Sequence, residues 1–215
     1  MPAQYIGLRT DPDGLSQYDA VRASRDGAQV VTQAHGKFFE QNMRGKLYTG
    51  VSASGGIALI VPATTGGHPT LWNPSDSGHN ISIVRLALSY VSGNNAPTAL
   101  EWAYTLNAGA THGTGAPIAT ATLVAPVGIL GGAVANKGKW SPTTNTFTAA
   151  PVFLRPTGLS LFTGVAATAV APFTLRADYD GDFVIGPGTA VSLCSQAATT
   201  TALFQVAITW EEVAI

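Results

Sequence analysis

Asp178, Asp180 and Asp182, in the run Asp178-Tyr179-Asp180-Gly181-Asp182, have the spacing most suited to chemistry in this sequence. Alternate carboxylates on an extended or turning backbone lie on one side of it and offer oxygen ligands to a hard cation such as Ca2+. The run lacks the later glutamate of an EF-hand loop, and Asp180-Gly181 between two strand-like segments is also a hairpin signal, which is the preferred reading. Cation binding at these three aspartates stays open. Glu211 and Glu212 are adjacent, so a strand sends them to opposite faces and they make no acid–base pair.

The other reactive residue types form no constellation. His35, His68, His79 and His112 occur in neither HxH nor HExxH spacing, and each is expected in a solvated or locally hydrogen-bonded loop. Ser52-Ala53-Ser54-Gly55-Gly56 lacks the preceding glycine of a nucleophile elbow and reads as a turn. Gly128-Ile129-Leu130-Gly131-Gly132 has neither the Lys-Ser/Thr of a phosphate loop nor the dinucleotide fingerprint. Cys194 is the single cysteine, which excludes an intrachain disulfide and a cysteine zinc site and leaves a small buried apolar residue. No catalytic residue, cofactor-binding residue or metal ligand is assigned, and the chain is not read as an enzyme.

Exposed aromatics would be platforms for sugar stacking. Trp210 fits the core side of a strand, Trp102 sits inside a strand, and Trp72 is held in Leu71-Trp72-Asn73-Pro74 before a turn. Trp140, in Lys137-Gly138-Lys139-Trp140-Ser141-Pro142, is expected to be exposed in a loop and is the candidate glycan contact.

The elements that would position these residues are short β-rich runs separated by Gly, Pro, Asn and Ser. Strands are expected at 57–61, 81–91, 99–106, 118–124, 159–165, 173–178, 182–185, 190–194 and 202–212. Phe204, Val206, Ile208 and Trp210 alternate with Leu203, Gln205, Ala207 and Thr209, so one face of the last strand is built for a core. In the 81–91 run, Val84, Leu86, Leu88 and Tyr90 make the more apolar set. Eight or nine strands without a long amphipathic helix imply an all-β, antiparallel β-sandwich of jelly-roll type.

Charge is concentrated in the first 46 residues, which hold nearly half of the chain's 11 basic and 12 acidic side chains. Residues 1–50 are therefore read as an N-terminal arm, partly extended, and residues 51–215 as the sandwich. Within the arm a short strand is expected at 28–32 and a short helix at 38–44. Only 11% of residues are charged, against roughly 25% in ordinary globular proteins. So sparse a supply implies surface covered by neighbouring subunits.

The formal net charge of −1 gives no attraction to a phosphate backbone, so nucleic acid is not an expected partner. The N-terminus shows no basic and apolar leader, and the long uncharged windows are broken by Pro and Gly, so neither export nor a membrane span is expected. Synthesis and assembly in the cytoplasm are therefore expected.

Leu71-Trp72-Asn73-Pro74-Ser75-Asp76-Ser77-Gly78-His79-Asn80, then Tyr90-Val91-Ser92-Gly93, then Trp210-Glu211-Glu212-Val213 together resemble a group of uncharacterised tailed-bacteriophage virion structural proteins. The resemblance runs from about His35 to the C-terminus and carries no catalytic signature. It implies a virion component; with the sparse charge, the expected partners are the chain itself, as a homo-oligomer with a trimer preferred, and the major capsid protein or other virion proteins, and it would sit in the virion. A capsid decoration or cement protein is the first reading; a tail or fibre subunit recognising a host glycan is the alternative.

Overall fold

A computed structural model describes residues 6–10, 16–20, 37–93, 98–106, 118–121, 123–125, 127–128, 136–161, 173–179, 181–199 and 201–215. The chain divides into two compact units between Phe39 and Glu40. In the first, β1 (Ile6–Thr10) and β2 (Ser16–Ala20) form an antiparallel pair with Leu8 opposite Tyr18. The strand expected at 28–32 lies outside the described residues. The helix expected at 38–44 is present as α1 (Phe39–Met43).

The second unit is an all-β sandwich of antiparallel sheets. Its strands are β3 (Leu47–Val51), β4 (Thr65–Gly67), β5 (Thr70–Asn73), β6 (His79–Ser92), β7 (Thr98–Leu106), β8 (Ile118–Ala121), β9 (Val127–Gly128), β10 (Lys139–Ser141), β11 (Thr144–Phe147), β12 (Val152–Leu161), β13 (Thr174–Asp178), β14 (Val184–Ile185), β15 (Thr189–Ser195) and β16 (Leu203–Ala214). The Gly50 boundary read from composition falls inside β3. One sheet has the order β10-β5-β15-β7-β12. The facing sheet has the order β13-β6-β16-β3-β9, with β14 also paired to β6. The eight principal strands visit the two sheets in turn: β3, β6, β13 and β16 in one, β5, β7, β12 and β15 in the other. Only the step from β7 to β12 stays within a sheet.

The core follows from side-chain alternation. Phe204, Val206, Ile208 and Trp210 of β16 are fully buried, whereas Leu203, Gln205, Ala207 and Thr209 are only half-buried. They pack on Leu71, Leu100, Trp102, Val191 and Leu193 from the opposite sheet. β6 does not keep one phase. Ile81 and Ile83 are buried, and so are Leu86 and Leu88, which lie on the alternate parity. A β-bulge reconciles them: Thr209 faces Arg85 and Trp210 faces Ile83, so Val84 is the extra residue and the buried face changes parity there.

β15 is buried from Ala190 to Ser195, on both faces, because a third layer lies over its sheet. That layer is the small sheet β4-β11-β8. Phe147 of β11 packs on Ala190 and Trp72, and the Asn145 amide donates to His68 O and to Thr70 Oγ1. Two expectations need correction. Residues 57–61 form no strand, only a bridge from Ile57 to Phe204, because β16 is already paired on both sides further along. The strand expected from Leu159 begins seven residues earlier, at Val152, with Pro156 tolerated because β12 is the outer strand of its sheet.

Candidate functional site

Among the described residues, folding brings together a nucleophile–base pair that the sequence kept 126 positions apart: Cys194 Sγ lies 3.4 Å from His68 Nδ1, with both residues fully buried. His68, expected in a solvated or locally bonded loop, is instead held under the third layer, with its ring 5.7 Å from that of Phe147. The Ala63 N–H donates to His68 Nε2 at 3.3 Å. In the neutral ring that hydrogen bond assigns the proton to Nδ1, so the imidazole donates toward the sulfur and has no lone pair with which to take the thiol proton. Burial reinforces this, lowering the His68 pKa to about 4 and raising that of Cys194 to about 12. An activated thiolate–imidazolium pair needs the opposite shifts. What the pair does is tie β15 to the chain between β4 and β5. Thr70 Oγ1 and Ser192 Oγ, 2.8 Å apart, add a second tie beside it.

The aspartate run is not a hairpin turn. β13 and β14 both pair with β6, Asp178 opposite Arg85 and Val184 opposite Ser82, so the chain between them returns to the same strand of the sheet instead of turning back as a hairpin. Tyr179 N–H donates to Val84 O, and Ile83 N–H to Phe183 O, so Tyr179 and Phe183 flank the extra residue of β6. Tyr179 and Phe183 turn into the core, where both rings pack edge-on against Trp102. The carboxylates face outward and meet arginines. Asp178 accepts from Arg176 at 2.8 Å and Arg85 at 2.7 Å, and those guanidiniums hold its carboxyl below the usual range. Asp182 takes a two-pronged bond from Arg155, whose guanidinium lies over Phe183 at 4.7 Å and over Tyr179 at 5.3 Å. Two of the three candidate Ca2+ ligands are thus committed to arginine, and Asp180 lies outside the described residues.

Trp140 corrects another expectation: it is fully buried on β10, with Nε1 donating to Val51 O at 3.2 Å. Its ring fills the space over Gly50, where an added Cβ would come within 2.6 Å. No face is left for a sugar. Trp102 and Trp210 are buried as expected, and Trp72 is half-buried. His79 makes the local bond expected of it, from Nδ1 to Ser77 O at 2.8 Å, while His35 and His112 lie outside the described residues.

The three sequence motifs prove to be fastenings. Asn73 is fully buried and its amide donates to His79 O and Ile185 O, closing the end of β5 onto β6 and β14. Gly78 and Gly93 both adopt positive φ, and at Gly93 a Cβ would fall 1.9 Å from Thr201 O. Glu212, nearly fully buried, receives the backbone N–H groups of Lys137 and Gly138 and the Trp210 indole on one carboxylate. The sequence marked Glu212 only as part of the Trp210-Glu211-Glu212-Val213 motif, and nothing in that pattern told of its buried role. No protein-family model, curated protein or solved structure matches the chain.

Proposed function

We propose that the chain is a structural subunit of a bacteriophage virion, a capsid decoration protein that works by packing against copies of itself and against the shell. The observation that carries this reading is the order in which the chain fills its two sheets. The order β13-β6-β16-β3 faces β5-β15-β7-β12, with a crossing between sheets at every step but one. We read this as the eight-strand jelly roll, two interlocked Greek keys, an architecture shared by viral capsid proteins and lectins. The resemblance of the three motifs to those of tailed-phage virion proteins favours the capsid use over the lectin use. Their residues here fasten strand ends and leave the outer surfaces to partners. The fibre reading has lost the tryptophan on which its sugar contact depended.

The role is mechanical. A decoration protein binds after a shell has formed and adds contacts that must all break before the shell opens, so its effect grows with the number of copies. Particles produced without the chain are expected to release their genome at a lower temperature, and addition of the purified full-length chain should restore the wild-type value. Particles equally heat-stable with and without the chain, and unable to retain it on sedimentation, would refute the reading.

A further inference from the structure

We infer that residues 61–68 form an acid-operated cover over Cys194: protonation of His68 lifts this arch off β15 and opens the thiol to solvent, while the two principal sheets stay folded. The chain leaves β15 at Ile60, whose carbonyl accepts from Ser195 N–H at 3.1 Å, and rejoins it at Pro69, whose carbonyl accepts from Leu193 N–H at 2.9 Å. Cys194 is the residue between those two anchors, so the chain from 61 to 68 passes over it from one side to the other. The thiol is fully buried there, with His68 against its sulfur.

The arch is lightly held between its anchors. Val61, Thr64 and Thr65 are exposed, and Gly66 and Gly67 bring no side chain to bury. Its ties to the third layer are the short pairing of β4 with β11, the Phe147 N–H on Thr64 O and the Asn145 amide on His68 O. The floor beneath that layer is incompletely satisfied. Trp72 Nε1 and Thr105 Oγ1 are buried without a hydrogen-bond partner, and both residues stand in one row with Ala190, on which Phe147 packs. Polar groups left over at this contact favour its parting before the principal sheets separate.

His68 decides whether the arch stays down. Its neutral ring suits both neighbours: Nε2 accepts from Ala63 N–H, within the arch, and Nδ1–H donates toward Cys194 Sγ. A proton added at Nε2 sets two donors against each other and leaves the cation with a thiol sulfur, a weak acceptor, as its partner. Around His68, the titratable or charged side chains among the described residues are three. Cys194 is one. Glu101 of β7 stands opposite Cys194 but accepts from Gln196 Nε2 at 2.8 Å, and Lys139 of β10, opposite Trp72, adds a like charge. β4, β5 and β11 carry none. A charged ring is therefore expelled toward water, and the arch that carries it is the route out. Burial holds the closed ring's pKa down to about 4, against about 6.5 in water. Opening accordingly gains up to roughly tenfold per pH unit as pH falls between those two values, and the cover stays shut at neutral pH.

The test is the reaction of Cys194 in the full-length chain with dithiodipyridine, which titrates thiols even in acid, from pH 7 to pH 4. Each rate is divided by that of the urea-unfolded chain at the same pH. Protection of the wild-type thiol should fall about 100-fold over this range. Low urea should leave the rate nearly unchanged, and amide exchange should quicken at 61–68 but not at 204–210. His68→Gln keeps a neutral side chain in place and should hold protection nearly constant, whereas Glu101→Gln should behave as wild type. Acid sensitivity that survives in H68Q, or disappears in E101Q, would overturn the role given to His68. A rate as steep in urea as global unfolding, or exchange that rises equally at 204–210, would overturn the arch as a separate unit. Should H68Q fail to fold, the urea and exchange measurements on wild type decide the matter. Each result concerns the isolated chain, so none of them bears on the subunit reading, which the heat-release comparison tests.

Discussion

At the scale of single residues, the chemistry is spent on fastening. Cys194 and His68 are in contact but in the wrong protonation order for catalysis, so iodoacetamide should leave the native thiol unmodified and label it only on unfolding. Rapid labelling of the folded protein would contradict the burial and raised pKa of Cys194. The same histidine sets a pH dependence. Its folded pKa, about 4, lies below the unfolded value near 6.5, so between them the unfolded chain binds more protons. Stability is therefore full above pH 6.5 and falls as pH drops toward 4, by an amount on the order of 3 kcal/mol. Urea unfolding of wild type and His68→Gln across that range should show the fall in wild type and a shallower one in the variant. At Glu212, replacement by Ala strands two backbone N–H groups and an indole N–H in the interior and should cost about 3 kcal/mol. An exposed, dispensable Glu212 would show less than 1 kcal/mol in the same assay. Sequence could mark Cys194 as buried, since it continues a strand. It could not reveal His68 as its neighbour, because Gly67 and Pro69 around it read as loop and the partner comes from the far end of the chain.

At the scale of elements, strands with a clean period of two were readable and those that break the rule were not. β16 and β15 were found because their patterns run uninterrupted, and β6 was found as a strand without its change of phase. Only the paired register exposes Val84 as an extra residue, flanked by Tyr179 and Phe183. β10 and β11 were missed because three- and four-residue strands joined through Pro142 carry too few alternations to stand out. Trp140 was misplaced for the same reason: flanking Lys and Gly gave a loop-like context, while burial came from Gly50 and Val51 nearly ninety positions away. Trp140→Ala should consequently lower stability by about 3–5 kcal/mol, as loss of a large core aromatic does. A Trp140→Ala protein of wild-type stability that has lost a sugar ligand would restore the platform reading. Gly93→Ala places a methyl on Thr201 O at an unfavourable φ, so the β6–β16 end should open, seen as faster amide exchange at 90–93 and 202–204.

At the scale of the whole molecule, the low charge has two sources. Part of it is internal: Thr70, Thr105, Ser141, Asn145 and Ser192 are buried between the five-stranded sheet and the layer above it or at its margin, so polar uncharged residues line an interface within the chain. The remainder is external, in exposed apolar side chains such as Val152, Phe153, Leu154 and Val184 and in a sandwich body with few charged residues. The all-β sandwich was evident from strand count and alternation, whereas the third layer was not, because nothing in a Ser/Thr-rich strand distinguishes burial on both faces from exposure on one. Whether those surfaces serve a shell is measured most directly by quantifying the chain in purified particles by mass spectrometry against an internal standard. A decoration subunit should be present in copy numbers on the order of hundreds, in fixed proportion to the major shell protein, as symmetric repetition requires. A chain absent from washed particles, or present in a handful of copies, would contradict the assignment to the shell.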